Sequence, residues 1–279
     1  MLLNLSYLLS ALAATGICVL TGGFSGFGTV VLWLACFVGS VALCALGCFL
    51  VVWVEAKRTD PDREWEDHDP FIHNIVKLYA PAVFRLLGCK IVTRGTELLP
   101  RDGRFLLVSN HLCDLDPGFF LKTFRDCQLA FIAKKEVREL PIIGQLMPRL
   151  LCQFIDREND REALKTILKC ISILKNDKAN VAVFPEGYII QDGKLLHDFR
   201  PGVFKIAQKA NVPIVVCTLK GSEQLFANLR KLRRTTVELH LLGIVPAEEL
   251  KGVTTVDIAH RVHAMMAEDL GADKVANEK

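Results

Sequence analysis

The first 54 residues contain no Asp, Glu, Lys or Arg, and Glu55 is the first charged side chain. No other feature constrains the fold as strongly, because so long an apolar stretch is incompatible with exposure to water. It divides at Thr21-Gly22-Gly23-Phe24-Ser25-Gly26-Phe27-Gly28, a glycine-rich sequence that reads as a turn. Segments 2–20 and 29–54 flank that turn. A spanning helix needs about 20 apolar residues, within about 17–25, so the second segment qualifies clearly and the first marginally. Residues 1–54 are therefore expected to form a hydrophobic two-helix membrane anchor, either spanning or re-entrant. A cleavable signal sequence would begin with positive charge, and no Lys or Arg precedes Lys57. Lys57 and Arg58, just past the second segment, place that end and the remaining chain on the cytoplasmic side.

All 34 basic and 31 acidic residues therefore fall in 55–279, which is as charged as an ordinary globular domain. Disorder, a collagen-like fibre and a polytopic transporter are excluded. Residues 55–70 hold Glu55, Asp60, Asp62, Glu64, Glu66, Asp67 and Asp69 against only Lys57, Arg58 and Arg63, with prolines at 61 and 70. This stretch reads as an acidic linker, too polar to pack. The domain at 71–279 is left net basic, as suits attraction to anionic membrane lipid. A pI of about 8.3 is too mild to point to nucleic acid. Of the ten cysteines, four lie in the apolar arm and six are scattered without a C-x-x-C pair. Reduced thiols and no metal site are expected.

Beyond residue 71, short β-rich runs alternate with helical stretches. Strands are expected at 90–94, 105–109, 129–133, 181–184, 214–219 and 237–245, and helices at 71–87, 117–124, 161–175, 203–209 and 256–270. The alternation predicts an α/β fold, a mixed and partly parallel sheet flanked by helices.

Three polar turns follow apolar runs. In the first, Phe105-Leu-Leu-Val-Ser109-Asn110-His111 leads to Asp114, Asp116 and Pro117. An imidazole becomes a directed base when a carboxylate holds its other nitrogen. Asp116 or Asp114 is within reach of His111 across the turn; equally, Asp116 reads as a cap for a helix starting at Pro117. The second, Phe154-Ile155-Asp156-Arg157, offers a guanidinium fork to a phosphate or a surface ion pair with Asp156, Glu158 or Arg161. The third, Val181-Ala-Val-Phe184-Pro185-Glu186-Gly187, is either an ordinary turn or a place where a substrate can approach the backbone and take a hydrogen bond from the Gly187 amide.

Taken in order, Asn110-His111-x-x-x-x-Asp116, Phe154-Ile155-Asp156-Arg157, Phe184-Pro185-Glu186-Gly187 and Val212-Pro213-Ile214-Val215-Val216 resemble the four sequence blocks of the glycerolipid acyltransferase family. The likeness is greatest to the 1-acylglycerol-3-phosphate acyltransferases. It covers roughly 75–245 and includes the connecting pieces Phe131-Ile-Ala-Lys134-Lys135-Glu136 and Phe199-Arg200-Pro201-Gly202-Val203-Phe204. The resemblance implies that His111 is the general base and Asp116 its orienting partner. It ties Arg157, Glu186 and Gly187 to the glycerol phosphate, and Pro213 with its neighbours to the acyl side. It implies transfer from acyl-CoA or acyl carrier protein to lysophosphatidic acid, giving phosphatidic acid, with no metal or other cofactor. Many members follow Glu-Gly with Thr-Arg-Ser, whereas this chain has Tyr188-Ile189-Ile190. One phosphate-binding cation is thus missing, and Lys134 is the expected replacement. The fourth block also has Val216 where a second proline is usual.

Overall fold

The computed structural model describes residues 2–21, 26–60 and 63–276. The chain divides into two units, Met1–Asp60 and Pro61–Lys279.

In the first unit, α1 (Leu2–Leu20) packs against α2 (Gly26–Arg58). The pairing is antiparallel: Trp33 Nε1 donates to the Thr15 hydroxyl (3.1 Å), the Ser40 hydroxyl to the Ser10 carbonyl (3.4 Å), and the Tyr7 ring neighbours Phe37. These polar contacts lie along the seam, while Leu8, Leu12, Val19, Val38 and Leu43 are exposed. Over Phe27–Arg58, α2 is long and apolar enough to cross a membrane, whereas α1 is a shorter apolar helix. Residues 22–25 of the expected glycine-rich turn lie outside the described residues. Its last three positions belong to α2 instead. That helix also continues four residues beyond the expected anchor boundary, to Arg58.

In the second unit the acidic stretch does pack. The Trp65 indole lies against the core, with the Arg63 guanidinium over its ring. Glu64 pairs with Lys169, Asp67 with Lys178, and Asp69 with the buried Arg149 at 2.6 Å. Specific basic partners thus hold a segment whose polarity alone reads as a linker. Asp69 also caps α3 (Pro70–Leu86), accepting from the amides of Phe71 (2.8 Å) and Ile72 (3.3 Å).

Seven strands follow: β1 (Cys89–Arg94), β2 (Leu106–Val108), β3 (Leu129–Lys134), β4 (Gln153–Ile155), β5 (Asn180–Val183), β6 (Ile214–Lys220) and β7 (Thr235–Val245). Their order is β1-β7-β6-β2-β5-β3-β4, and every neighbouring pair is parallel except β6 with β7. The mixed, largely parallel sheet matches the expected α/β class. Alternation along each strand separates two cores. Leu106, Val108, Val181, Val183, Ile214 and Val216 face α6 (Asp160–Lys175), α7 (Lys205–Ala210) and α9 (Thr255–Leu270). Phe105, Leu107, Ala182, Val215 and Cys217 face α3 and α4 (Asp116–Thr123). Burial on both faces explains the uninterrupted apolar runs, and each large side chain so buried contributes about 1.5–3 kcal/mol. Short α5 (Ile143–Leu146) and α8 (Leu225–Arg230) complete the unit.

Candidate active site

The neighbouring strands β2, β5, β3 and β4 run parallel, so the turns after them gather at one end of the sheet, where open α/β folds place ligands. His111 follows β2, Lys134 closes β3, Arg157 follows β4, and Glu186 and Gly187 follow β5. Pro213 does not join them. It precedes β6, which runs parallel to β2, and its carbonyl accepts from the Leu106 amide at the start of β2. Its expected place beside the substrate is thereby corrected: Pro213 sits at the opposite end of the sheet from His111.

The first turn is pinned from both sides. Buried Asn110 donates from its side chain to the carbonyls of Leu195 and Leu219 (both 2.9 Å) and accepts from the Leu219 amide (2.7 Å), tying β2 to its surroundings. Asp116, fully buried as the first residue of α4, turns its carboxylate back across the turn. Oδ2 accepts from the amides of Leu112 (2.6 Å) and Cys113 (2.8 Å) and lies 3.1 Å from His111 Nδ1. The carboxylate therefore does not cap α4, and the choice between the two acids resolves on Asp116, since Asp114 is exposed. Asp116 Oδ1 is buried with no hydrogen-bond partner among the described residues, so every bond it makes is concentrated on the oxygen facing His111. An Nδ1–H donated to this carboxylate leaves Nε2 as the basic nitrogen. The His111 ring stacks on Phe184, centroids 4.2 Å apart and planes 14° apart.

Glu186 lies under the first turn, and its side chain contacts backbone there. Buried beneath the turn, it accepts from the backbone amides of His111 (3.3 Å) and His197 (3.5 Å). Burial pushes its carboxyl up to about 8, with the Asp116 charge acting the same way and the two amide donors opposing. The Gly187 amide is likewise committed, donating to the Phe184 carbonyl at 3.1 Å. Gly187 is required for a different reason. Its φ is +81°, and a Cβ there would lie 3.1 Å from Arg200 Nε.

A cleft opens beside Phe184, with an apolar wall from Ile132, Ile155, Ile167 and Val183 and a polar rim that includes Arg157, Gly187 and Arg200. The Arg157 guanidinium is half-buried and lies 4.9 Å from the centre of the Tyr188 ring; burial lowers its proton affinity. Lys134, the expected replacement cation, closes β3 and is exposed. Its exposed ammonium turns to Glu136 (3.4 Å), and the neighbouring Lys135 pairs with Asp156 (2.7 Å). Sequence reasoning passed over Arg200, although it stands in the connecting piece Phe199-Arg200-Pro201-Gly202.

The sequence of residues 90–220, which carries all of this geometry, matches the acyltransferase family model. Over those residues this chain is similar to the acyltransferase family. It is 30% identical to a probable 1-acyl-sn-glycerol-3-phosphate acyltransferase of Mycoplasma pneumoniae over 60% of this chain and 61% of that protein. It is 29% identical to 1-acyl-sn-glycerol-3-phosphate acyltransferase alpha of Bos taurus over 69% of this chain and 67% of that protein. The crystal structure of the 1-acyl-sn-glycerophosphate acyltransferase of Thermotoga maritima superposes with a TM-score of 0.60 at 25% identity, covering 75% of this chain and 82% of that one. The matched region spans only about half to three-fifths of the length of several bacterial relatives.

Proposed function

We propose that this protein moves a fatty acyl group from an acyl thioester, acyl-CoA or acyl-(acyl carrier protein), to the sn-2 hydroxyl of 1-acylglycerol 3-phosphate. The product is phosphatidic acid. The observation that carries this reading is the His111–Asp116 pair on a rigid strand-end turn, beside a cleft with an apolar wall and a cationic rim. His111 Nε2 accepts the hydroxyl proton as the oxygen attacks the thioester carbonyl. Asp116 holds the ring in one tautomer and stabilises the imidazolium that forms. Collapse of the tetrahedral intermediate breaks the C–S bond, and the imidazolium returns its proton to the thiolate, so thiol and ester leave with charge balanced. The apolar wall suits an acyl chain and the rim suits a phosphate.

Purified full-length protein in mixed micelles is expected to release thiol from acyl-CoA with lysophosphatidic acid as acceptor. Monoacylglycerol and lysophosphatidylcholine should support far less. Equal rates with the neutral acceptor would overturn the assignment of acceptor. No release with any acceptor would mean a lipid-binding module without turnover.

The anchor at 1–54 belongs to the same reading, since both substrates carry lipid chains. Helix α2 with Lys57 and Arg58 at its end favours insertion with the catalytic unit on the cytoplasmic face. Apolar burial at about 25 cal/mol per Å² should keep the full chain in the membrane pellet after alkaline carbonate. Its release into the supernatant would count against insertion.

A further inference from the structure

Two guanidinium groups lie over one tyrosine ring. Arg157 Cζ is 4.9 Å and Arg200 Cζ 5.0 Å from the centre of Tyr188, and Arg200 Nη2 donates to the Tyr188 hydroxyl at 3.0 Å. The three residues arrive from separate segments: the turn after β4, the turn after β5, and the stretch leading to α7. Among the described residues, neither guanidinium forms an ion pair with a carboxylate. Two like charges gathered without a directly paired carboxylate repel, and the π face of Tyr188 and the more distant Glu136 charge offset that only in part. The arrangement is nevertheless built firmly. The Arg200 amide donates to the Pro185 carbonyl at 2.8 Å. Gly187 leaves the space in which the Arg200 side chain lies, since a Cβ there would come within 3.2 Å of both its Cδ and Nε. Both guanidiniums line the cleft that Phe184 shares, and the Phe184 ring stacks on the general base.

We infer that Arg157 and Arg200 form a two-guanidinium clamp for a phosphomonoester, with Tyr188 as the platform that spaces them. The inference rests on the proposed acyl transfer and specifies how its acceptor is held. It also accounts for the departure at Tyr188-Ile189: the cation absent from that block is supplied by the next segment, which reaches back to it. A phosphomonoester dianion satisfies both forks at once. A neutral or zwitterionic headgroup leaves one or both forks unsatisfied, so the clamp sets specificity by what it penalises.

The test has a kinetic arm and a binding arm, both on the full chain. Arg200→Ala is expected to raise the acceptor KM about 10- to 100-fold, as for a charge-assisted bond, with the acyl-CoA KM unchanged. Arg200→Lys keeps the charge without the fork and should fall between wild type and Ala. Tyr188→Phe keeps the platform and should cost only a few-fold. In the binding arm, glycerol 3-phosphate should raise the melting temperature of wild type but not of Arg200→Ala, with glycerol as the uncharged control. If wild type transfers acyl groups but Arg200→Ala keeps both its acceptor KM and its response to glycerol 3-phosphate, the clamp is overturned and the activity stands. If wild type shows no transfer yet responds to glycerol 3-phosphate through Arg200, the clamp stands and the activity falls. Should Arg200→Ala fail to fold, Arg200→Lys decides on the same two readings.

Discussion

His111→Ala is expected to lower kcat by about 10²–10⁴-fold, the usual contribution of a positioned general base, while the protein still unfolds cooperatively. The ring is largely enclosed against Phe184, so its removal costs some packing. Asp116, however, keeps its two amide donors from Leu112 and Cys113, and the turn retains its anchor. Asp116→Asn should be comparably damaging to kcat, by about 10²-fold or more, for a different reason. The side-chain oxygen can still accept from the backbone, but the charge that stabilises the imidazolium is gone. Asp116→Asn should also lower the melting temperature, because hydrogen bonds to a charged group contribute about 1.5–3 kcal/mol. Asp114→Asn is the control. Its carboxylate is exposed, and its kcat should stay within about two-fold of wild type, as for surface changes generally. Thiol release and circular dichroism melts on the three variants decide the matter. A His111→Ala protein that keeps its rate, or an Asp114→Asn protein that loses it, would dismantle the dyad.

What the sequence discloses here is mostly local. The Val- and Leu-rich runs at 105–109, 181–184 and 214–219 mark the doubly buried strands because an apolar run of that length has no other stable place. The His111 to Asp116 spacing is legible because five residues span a single turn, so the partners are neighbours along the chain. The missed features depend on contacts made far along it. Gln153–Ile155 is too short to declare itself a strand; only pairing with β3 makes it one. The stretch before α3 looks like a linker until Lys169, Lys178 and Arg149 arrive to meet its acids. Arg200 reaches Tyr188 only through the loop that returns from β5 toward α7. Pro213 differs, because its misplacement was open to reasoning from direction. His111 follows its strand and Pro213 precedes one, so in a parallel pair they must lie at opposite ends.

Glu186 should give the stability of this protein an unusual pH dependence. Its carboxyl is buried close to the ionised Asp116 and is pushed up to about 8 from an ordinary value of 4.5. The folded protein therefore holds a proton that the unfolded chain releases near pH 4.5. Stability from this group is complete below that pH and is lost as pH rises toward about 8, at up to ~1.4 kcal/mol per pH unit. Glu186→Gln is neutral throughout and lacks this slope. Measured in the same detergent, the melting temperature of Glu186→Gln should gain on wild type steadily between pH 5 and pH 8. A constant difference across that range would mean the two backbone amides keep Glu186 ionised. Glu186→Ala separates charge from hydrogen bonding. It leaves the buried amides of His111 and His197 without acceptors, at about 1–3 kcal/mol for each, and frees the turn that aims His111, so kcat should fall together with stability. A neutral Glu186 next to an ionised Asp116 also serves the chemistry. With the Glu186 carboxyl raised by its burial, the carboxylate beside His111 is that of Asp116, whose Oδ2 faces Nδ1.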